Sequence, residues 1–204
     1  MKSSRPIIAL DADGVLVDYN SSYPPVWHRA FGIVLPKLRA AYHAANAYGV
    51  QMVKGTPEYD KFMETFGDDD WRTMPALPGV PEACHALHDA GFSLVCVTSI
   101  PSRFAAARLD NLRALELPID RVVAVGHSDT CNPKLQVLQE LGAVAFADDL
   151  ASNFEGVEPK THKALIDYGH FDSPNLTLDT SLADSRHGSL LAFAKWWLAR
   201  GEAL

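Results

Sequence analysis

Ile7-Ile8-Ala9-Leu10-Asp11-Ala12-Asp13-Gly14-Val15 is the stretch that decides the fold. Its unbroken apolar run, 7–10, reads as a strand covered on both faces, as in a parallel sheet. The run stops on two carboxylates flanking one alanine, and then on a glycine. Side chains alternate along an extended chain, so Asp11 and Asp13 share a side. Two acids placed there repel each other unless a cation sits between them. A hard divalent ion such as Mg²⁺ takes oxygen ligands of this kind. Asp13-Gly14 by itself is also a common turn dipeptide, so the other strand ends have to be read with it.

Further along, 92–97 is a second near-continuous apolar run. It ends on Thr98-Ser99, and Pro101 prevents its extension. A β-branched run at 121–125 ends at Gly126-His127, and 143–147 ends on Asp148-Asp149. Residues 163–166 form one more candidate strand. Helices are predicted between them. One starts at Pro81-Glu82 and stops at Gly91; another covers 104–115. A third opens at Asn132-Pro133-Lys134 and stops at Gly142, and a last one covers 189–200. Strands alternating with helices predict an α/β fold, a doubly wound and mainly parallel sheet. Sites in such folds lie at the carboxyl ends of the strands.

Between the first strand and this repeating pattern the texture changes. Val26, Trp27, Ala30 and Phe31 recur at helical spacing, as do Leu38, Ala41, Tyr42 and Ala45. Thr56-Pro57-Glu58 reads as a helix start, followed by Tyr59, Phe62, Met63 and Phe66. No strand is predicted here. The chain thus divides into an α/β core, 1–16 and 78–204, and an all-helical insert, 17–77. Asp68-Asp69-Asp70, just before Trp71, suits a solvated loop or a helix N-terminus, where the dipole favours acids, better than a metal site.

Composition narrows the function. The 204 residues carry a net charge of −7 and no basic run, which argues against a nucleic-acid or membrane-surface partner. No apolar run reaches membrane-spanning length, and the N-terminal apolar stretch is too short for a signal peptide. Cys84, Cys96 and Cys131 are odd in number and lack zinc-type spacing, which points to a reducing, cytoplasmic setting. Oligomeric state is not legible in the sequence.

Asp11 and Asp13, Thr98 and Ser99, Lys134, and Asp148 and Asp149 form one set of polar residues at strand and helix ends. Lys134 opposes the dipole at the start of its helix, so an anion among the strand ends should compensate it. With these four elements in order, the chain resembles the haloacid dehalogenase superfamily, over about 5–16 and 78–155. The resemblance implies phosphohydrolase chemistry. Asp11 would be the nucleophile, forming an aspartyl-phosphate, and Asp13 the acid and base. Thr98, Ser99 and backbone N–H groups such as that of Ala12 would hold the phosphate, and Lys134 would neutralise it. Mg²⁺ would sit on Asp11, the carbonyl of Asp13, Asp149, and Asp148 directly or through water. The insert would be a cap closing over a small phosphorylated substrate. Dehalogenase relatives typically lack the second acid, so Asp13 favours phosphate esters. The alternatives are a 5'-nucleotidase, suggested by Trp71, Pro75, Pro78-Gly79 and 148–153, a sugar phosphomutase, and a non-catalytic binding module. The distance from Lys134 to Asp148 is long for the nucleotidase. His127, after its strand, is a candidate for the rim of the site.

Overall fold

The computed structural model describes residues 5–128 and 130–201. Six parallel strands form one sheet in the order β3-β2-β1-β4-β5-β6. They are β1 (Ile7–Leu10), β2 (Ser93–Thr98), β3 (Ile119–Ala124), β4 (Ala145–Asp148), β5 (His162–Ile166) and β6 (Ser185–His187). The fold is the expected doubly wound α/β architecture. The central strand β1 is flanked by β2 and β4, with Leu10 level with both Cys96 and Ala147. This register brings Asp11, Thr98 and Asp148 to the carboxyl ends of three adjacent strands.

Ile8, Ala9 and Leu10 are fully buried, as the unbroken apolar run requires. Each large aliphatic side chain so placed contributes about 1.5–3 kcal/mol. The strand β6 has no counterpart in the sequence reading. It is three residues long and polar, an edge strand fixed by its pairing with β5 and not by an apolar run.

Besides five short 3₁₀ segments, the described chain has eight α-helices: α1 (Tyr23–Phe31), α2 (Ala44–Tyr48), α3 (Pro57–Thr65), α4 (Asp68–Arg72), α5 (Val80–Asp89), α6 (Ala105–Ala114), α7 (Leu135–Leu141) and α8 (Leu190–Ala199). Thr56 caps α3 by accepting from the Tyr59 N–H, and Ser189 caps α8 by accepting from Ala192. The acidic triplet forms the first turn of α4, the helix N-terminus and not the loop of the two placements expected.

Helices α1 to α4 lie within the insert and no strand accompanies them. The helix expected around 38–45 is absent: 33–43 is irregular, and α2 begins only at Ala44. Leu38 is exposed there, so the spacing that suggested a helix does not correspond to one buried face. The insert leaves and rejoins the core at one place. Leu77 N–H donates to Leu16 O at 3.1 Å, and Asp18 N–H to Pro75 O at 2.9 Å. One apolar cluster runs from Ile8 and Leu10, through Val17, Met74 and Trp71, to Phe62 and Tyr48.

Candidate active site

A cleft of about 1370 Å³ opens over the carboxyl ends of the strands, between the core and the insert. Asp11, Asp13, Thr98, Ser99, Lys134 and Asp149 line it. Asp148 stands directly behind, bonded to Lys134 and fully buried. His127 is on the rim. Ala12 is the exception among the expected residues. Its side chain is fully buried and does not line the cleft, and its carbonyl accepts from the N–H groups of Val15, Leu16 and Val17. That carbonyl ties down the loop after β1.

Lys134 is 1% exposed and sits at the N-cap of α7, where Asn132 Oδ1 accepts its N–H at 3.0 Å. Its Nζ lies 2.7 Å from Asp11 Oδ1 and 2.6 Å from Asp148 Oδ2. The compensating anions are therefore these two carboxylates. Burial alone would lower the Lys134 pKa; Asp11 and Asp148 outweigh it and raise it. Asp148 is further held by Leu150 N–H at 2.9 Å and by Asn153 Nδ2 at 2.9 and 3.0 Å. Asn175 pins the same turn, donating to Asp149 O and accepting from Ala151 N–H.

The acids carry more charge than Lys134 balances. Burial pushes the Asp11 carboxyl up to about 7, with Lys134 opposing and Asp148 and Asp13 adding to the rise. Asp149 is raised well above the usual range by burial and by Asp148 and Asp11. Oxygens of Asp11, Asp148 and Asp149 all lie within 4.8 Å of one another. An all-oxygen, acid-rich donor set of this size fits a hard divalent cation. Gly14 shapes the same place: at φ +82° it packs directly on the Asp149 carboxylate.

Three contacts were not anticipated. Arg108, on α6, is 0% exposed and forms an ion pair with Asp13 Oδ1 at 2.5 Å. The sequence holds no signal for it: Arg108 and Asn111 share the buried face with Ala107 and Leu112, and the helix has no marked apolar stripe from which that face could be read. Tyr42, from the irregular part of the insert, brings its phenol to the Asp149 carboxylate; burial and that acid both raise its pKa. Asp172, in the loop after β5, holds that segment in place. It accepts from the N–H groups of Tyr42 at 2.7 Å and His43 at 3.1 Å, and from Asn46 Nδ2 at 2.7 Å. The loop containing Asp172 has no periodicity from which this role could be read.

The chain belongs to the haloacid dehalogenase-like hydrolases, whose family model matches residues 6–164. A search of curated protein sequences finds no match. Among solved structures it is similar to a family hydrolase from Deinococcus radiodurans R1 with bound phosphate and sodium, at 17% identity and a TM-score of 0.58, covering 99% of this chain and 97% of that one. It is also similar to an L-2-haloacid dehalogenase, at 19% identity and a TM-score of 0.61, covering 96% and 99%. A proposed beta-phosphoglucomutase from Thermotoga maritima matches at 20% identity and a TM-score of 0.58, covering 98% and 100%. At such identities the likeness establishes the fold.

Proposed function

We propose that this chain is a Mg²⁺-dependent phosphatase that hydrolyses a small phosphorylated metabolite through an aspartyl-phosphate on Asp11. The observation that carries the reading is a second carboxylate, Asp13, lining the same cleft as Asp11. A departing halide needs no proton, whereas an alkoxide leaving a phosphate ester does. The dehalogenases among the structural neighbours therefore share the fold without setting the chemistry. The phosphate bound in the Deinococcus radiodurans neighbour agrees with this choice.

Asp11 attacks phosphorus in line, so that the Asp11–phosphorus bond forms as the ester bond breaks. Asp13 gives its proton to the departing oxygen. Water then attacks the aspartyl-phosphate and passes a proton back to Asp13, releasing inorganic phosphate and restoring Asp11. Lys134 orients the nucleophile through its 2.7 Å contact and neutralises charge. The Thr98 hydroxyl, Ser99 and the Ala12 N–H would hold phosphate oxygens. Mg²⁺, held by Asp11, Asp149 and the Asp13 carbonyl, would supply charge neutralisation for the phosphate. Asp148, its oxygens engaged by Lys134, Asn153 and Leu150, fits an orienting or water-bridged role.

The insert, 17–77, acts as the cap that selects the leaving group and excludes water. A substrate beneath it is a small molecule, and with a net charge of −7 nucleic acid and anionic membrane are poor partners. Among the described residues no helix is long and apolar enough to cross a membrane. The free cysteines suit a reducing cytoplasm. The test is phosphate release from an aryl phosphate and a metabolite panel with Mg²⁺. Turnover that disappears in Asp11→Asn supports the reading. No turnover of any phosphate ester by folded, Mg²⁺-loaded protein would sink it.

A further inference from the structure

Arg108 is a guanidinium with no exposed surface, on a helix whose other buried residues are Ala107, Asn111 and Leu112. A buried charge of this kind requires a charged partner. Among the described residues its ion-pair partner is Asp13. The rest of its surroundings fix the plane of the guanidinium. The Trp71 ring lies 5.0 Å from Cζ, Nη1 and Nη2 stand 3.3 and 3.4 Å from Met74 Sδ, and Nη1 donates to Asn111 Oδ1 at 3.2 Å. Asn111 is anchored in turn, because its Nδ2 donates to Arg72 O at 3.0 Å and to Met74 O at 2.8 Å. Trp71, Arg72 and Met74 belong to the segment by which the insert returns to the core.

We infer that Arg108 is the positioning residue for Asp13: it binds Oδ1, leaving Oδ2 as the oxygen that exchanges the proton with the leaving group and then with water. Arg108 itself touches neither phosphate nor leaving group. It acts by fixing the rotamer of Asp13, and its packing on Trp71 and Met74 ties that rotamer to the position of the insert. The inference rests on the phosphatase reading above.

The experiment is a set of steady-state kinetics with Mg²⁺ over aryl phosphates of graded leaving-group acidity and one alkyl phosphate. Wild-type turnover on this series first tests the phosphatase reading by itself. Arg108→Met keeps bulk and removes the charge. It is expected to lower kcat/KM, which reports the step in which the leaving group departs, by about 10²–10³-fold for the alkyl ester, and by less than about tenfold for 4-nitrophenyl phosphate, whose leaving group needs little proton donation. Hydrolysis of the shared aspartyl-phosphate, read in kcat, should slow alike for every ester. Asp13→Asn should give the same dependence on leaving group, and the double variant should be no slower than Asp13→Asn alone. Arg108→Lys, which keeps a cation, should recover part of the alkyl-ester rate. A uniform loss of kcat/KM across the series, or additive losses in the double variant, overturns the inference. So does failure of both Arg108 variants to fold, which would make the residue a piece of scaffold.

Discussion

Gly14 and Asp149 are packed so closely that a Cβ on the glycine would stand 2.2 Å from Asp149 Oδ2. The loop after β1 thus admits no side chain at this position, and φ +82° disfavours one as well. Gly14→Ala is expected to displace the Asp149 carboxylate, with a loss of about 1–3 kcal/mol in stability. Mg²⁺ affinity should fall by at least about tenfold, in the range found when groups supporting metal ligands are disturbed. Titration calorimetry with Mg²⁺ checks this; unchanged affinity would show that Asp149 does not hold the ion.

Asp11→Asn should abolish turnover of every phosphate ester while the protein remains folded. Lys134 keeps Asp148 at 2.6 Å in that variant, so its charge stays paired. Circular dichroism and a phosphate-release assay on the same preparation test this. Wild-type-like turnover would remove Asp11 from the role of nucleophile.

The metal-free protein should lose stability as pH rises. The Asp11 carboxyl is raised from 3.8 to about 7, so the folded state holds a proton that the unfolded chain releases at lower pH. Its contribution is present below about pH 4 and is lost as pH climbs through about 7. Asp149, raised by burial and by Asp148, acts in the same direction. Thermal melts in chelator should therefore decline across this window, less steeply for Asp11→Asn. Added Mg²⁺, which binds the ionised acids, should raise the melting temperature more at pH 8 than at pH 5. An identical slope for wild type and Asp11→Asn would contradict the assignment.

Excess chelator should stop turnover, and Mg²⁺ should restore it. Calcium is expected to inhibit, since it tolerates looser coordination and lets Asp11 bind through both oxygens, which takes the nucleophile out of line. Full activity after dialysis against chelator would rule out the metal.

Asp172→Ala should loosen the Tyr42 segment. Two backbone N–H groups and Asn46 lose their acceptor; water can reach these donors, so the cost is about 0.5–1.5 kcal/mol. The hydrogen bonds outweigh the effect of burial and lower the pKa of Asp172, so this contribution is present above about pH 4 and is lost as pH falls below it. The preferred phosphate ester should change while a small aryl phosphate is still hydrolysed. An unchanged substrate ranking would show that the segment held by Asp172 takes no part in the insert's choice of leaving group.

The parts legible in the sequence are those in which one stretch of chain carries both its structure and its chemistry. The run at 7–10 is apolar because it is buried on both faces, and its end marks Asp11. Lys134 was legible because a cation at a helix start needs a nearby anion. Arg108 was not, because its partner Asp13 is distant in sequence and meets it only once β1 and α6 are packed. Asp172 lies in a stretch with no apolar period, and its acceptor role exists only when 42–46 folds against it. The absent helix around 38–45 has the same origin. Its apolar spacing was genuine, but Leu38 faces solvent.

The paired crossings at 16–18 and 75–77 make the insert a transplantable segment as far as the backbone is concerned. Its two ends emerge side by side, and the sheet does not sense how much chain lies between them. The natural seam for an exchange nevertheless lies earlier in the chain than the second crossing. Trp71 and Met74 wall in Arg108, so a foreign insert spliced at 75 would uncover a buried cation beside Asp13. A chimera that retains 71–77 keeps that wall, provided its new segment supplies apolar partners for Trp71 where Tyr19 and Phe66 now stand.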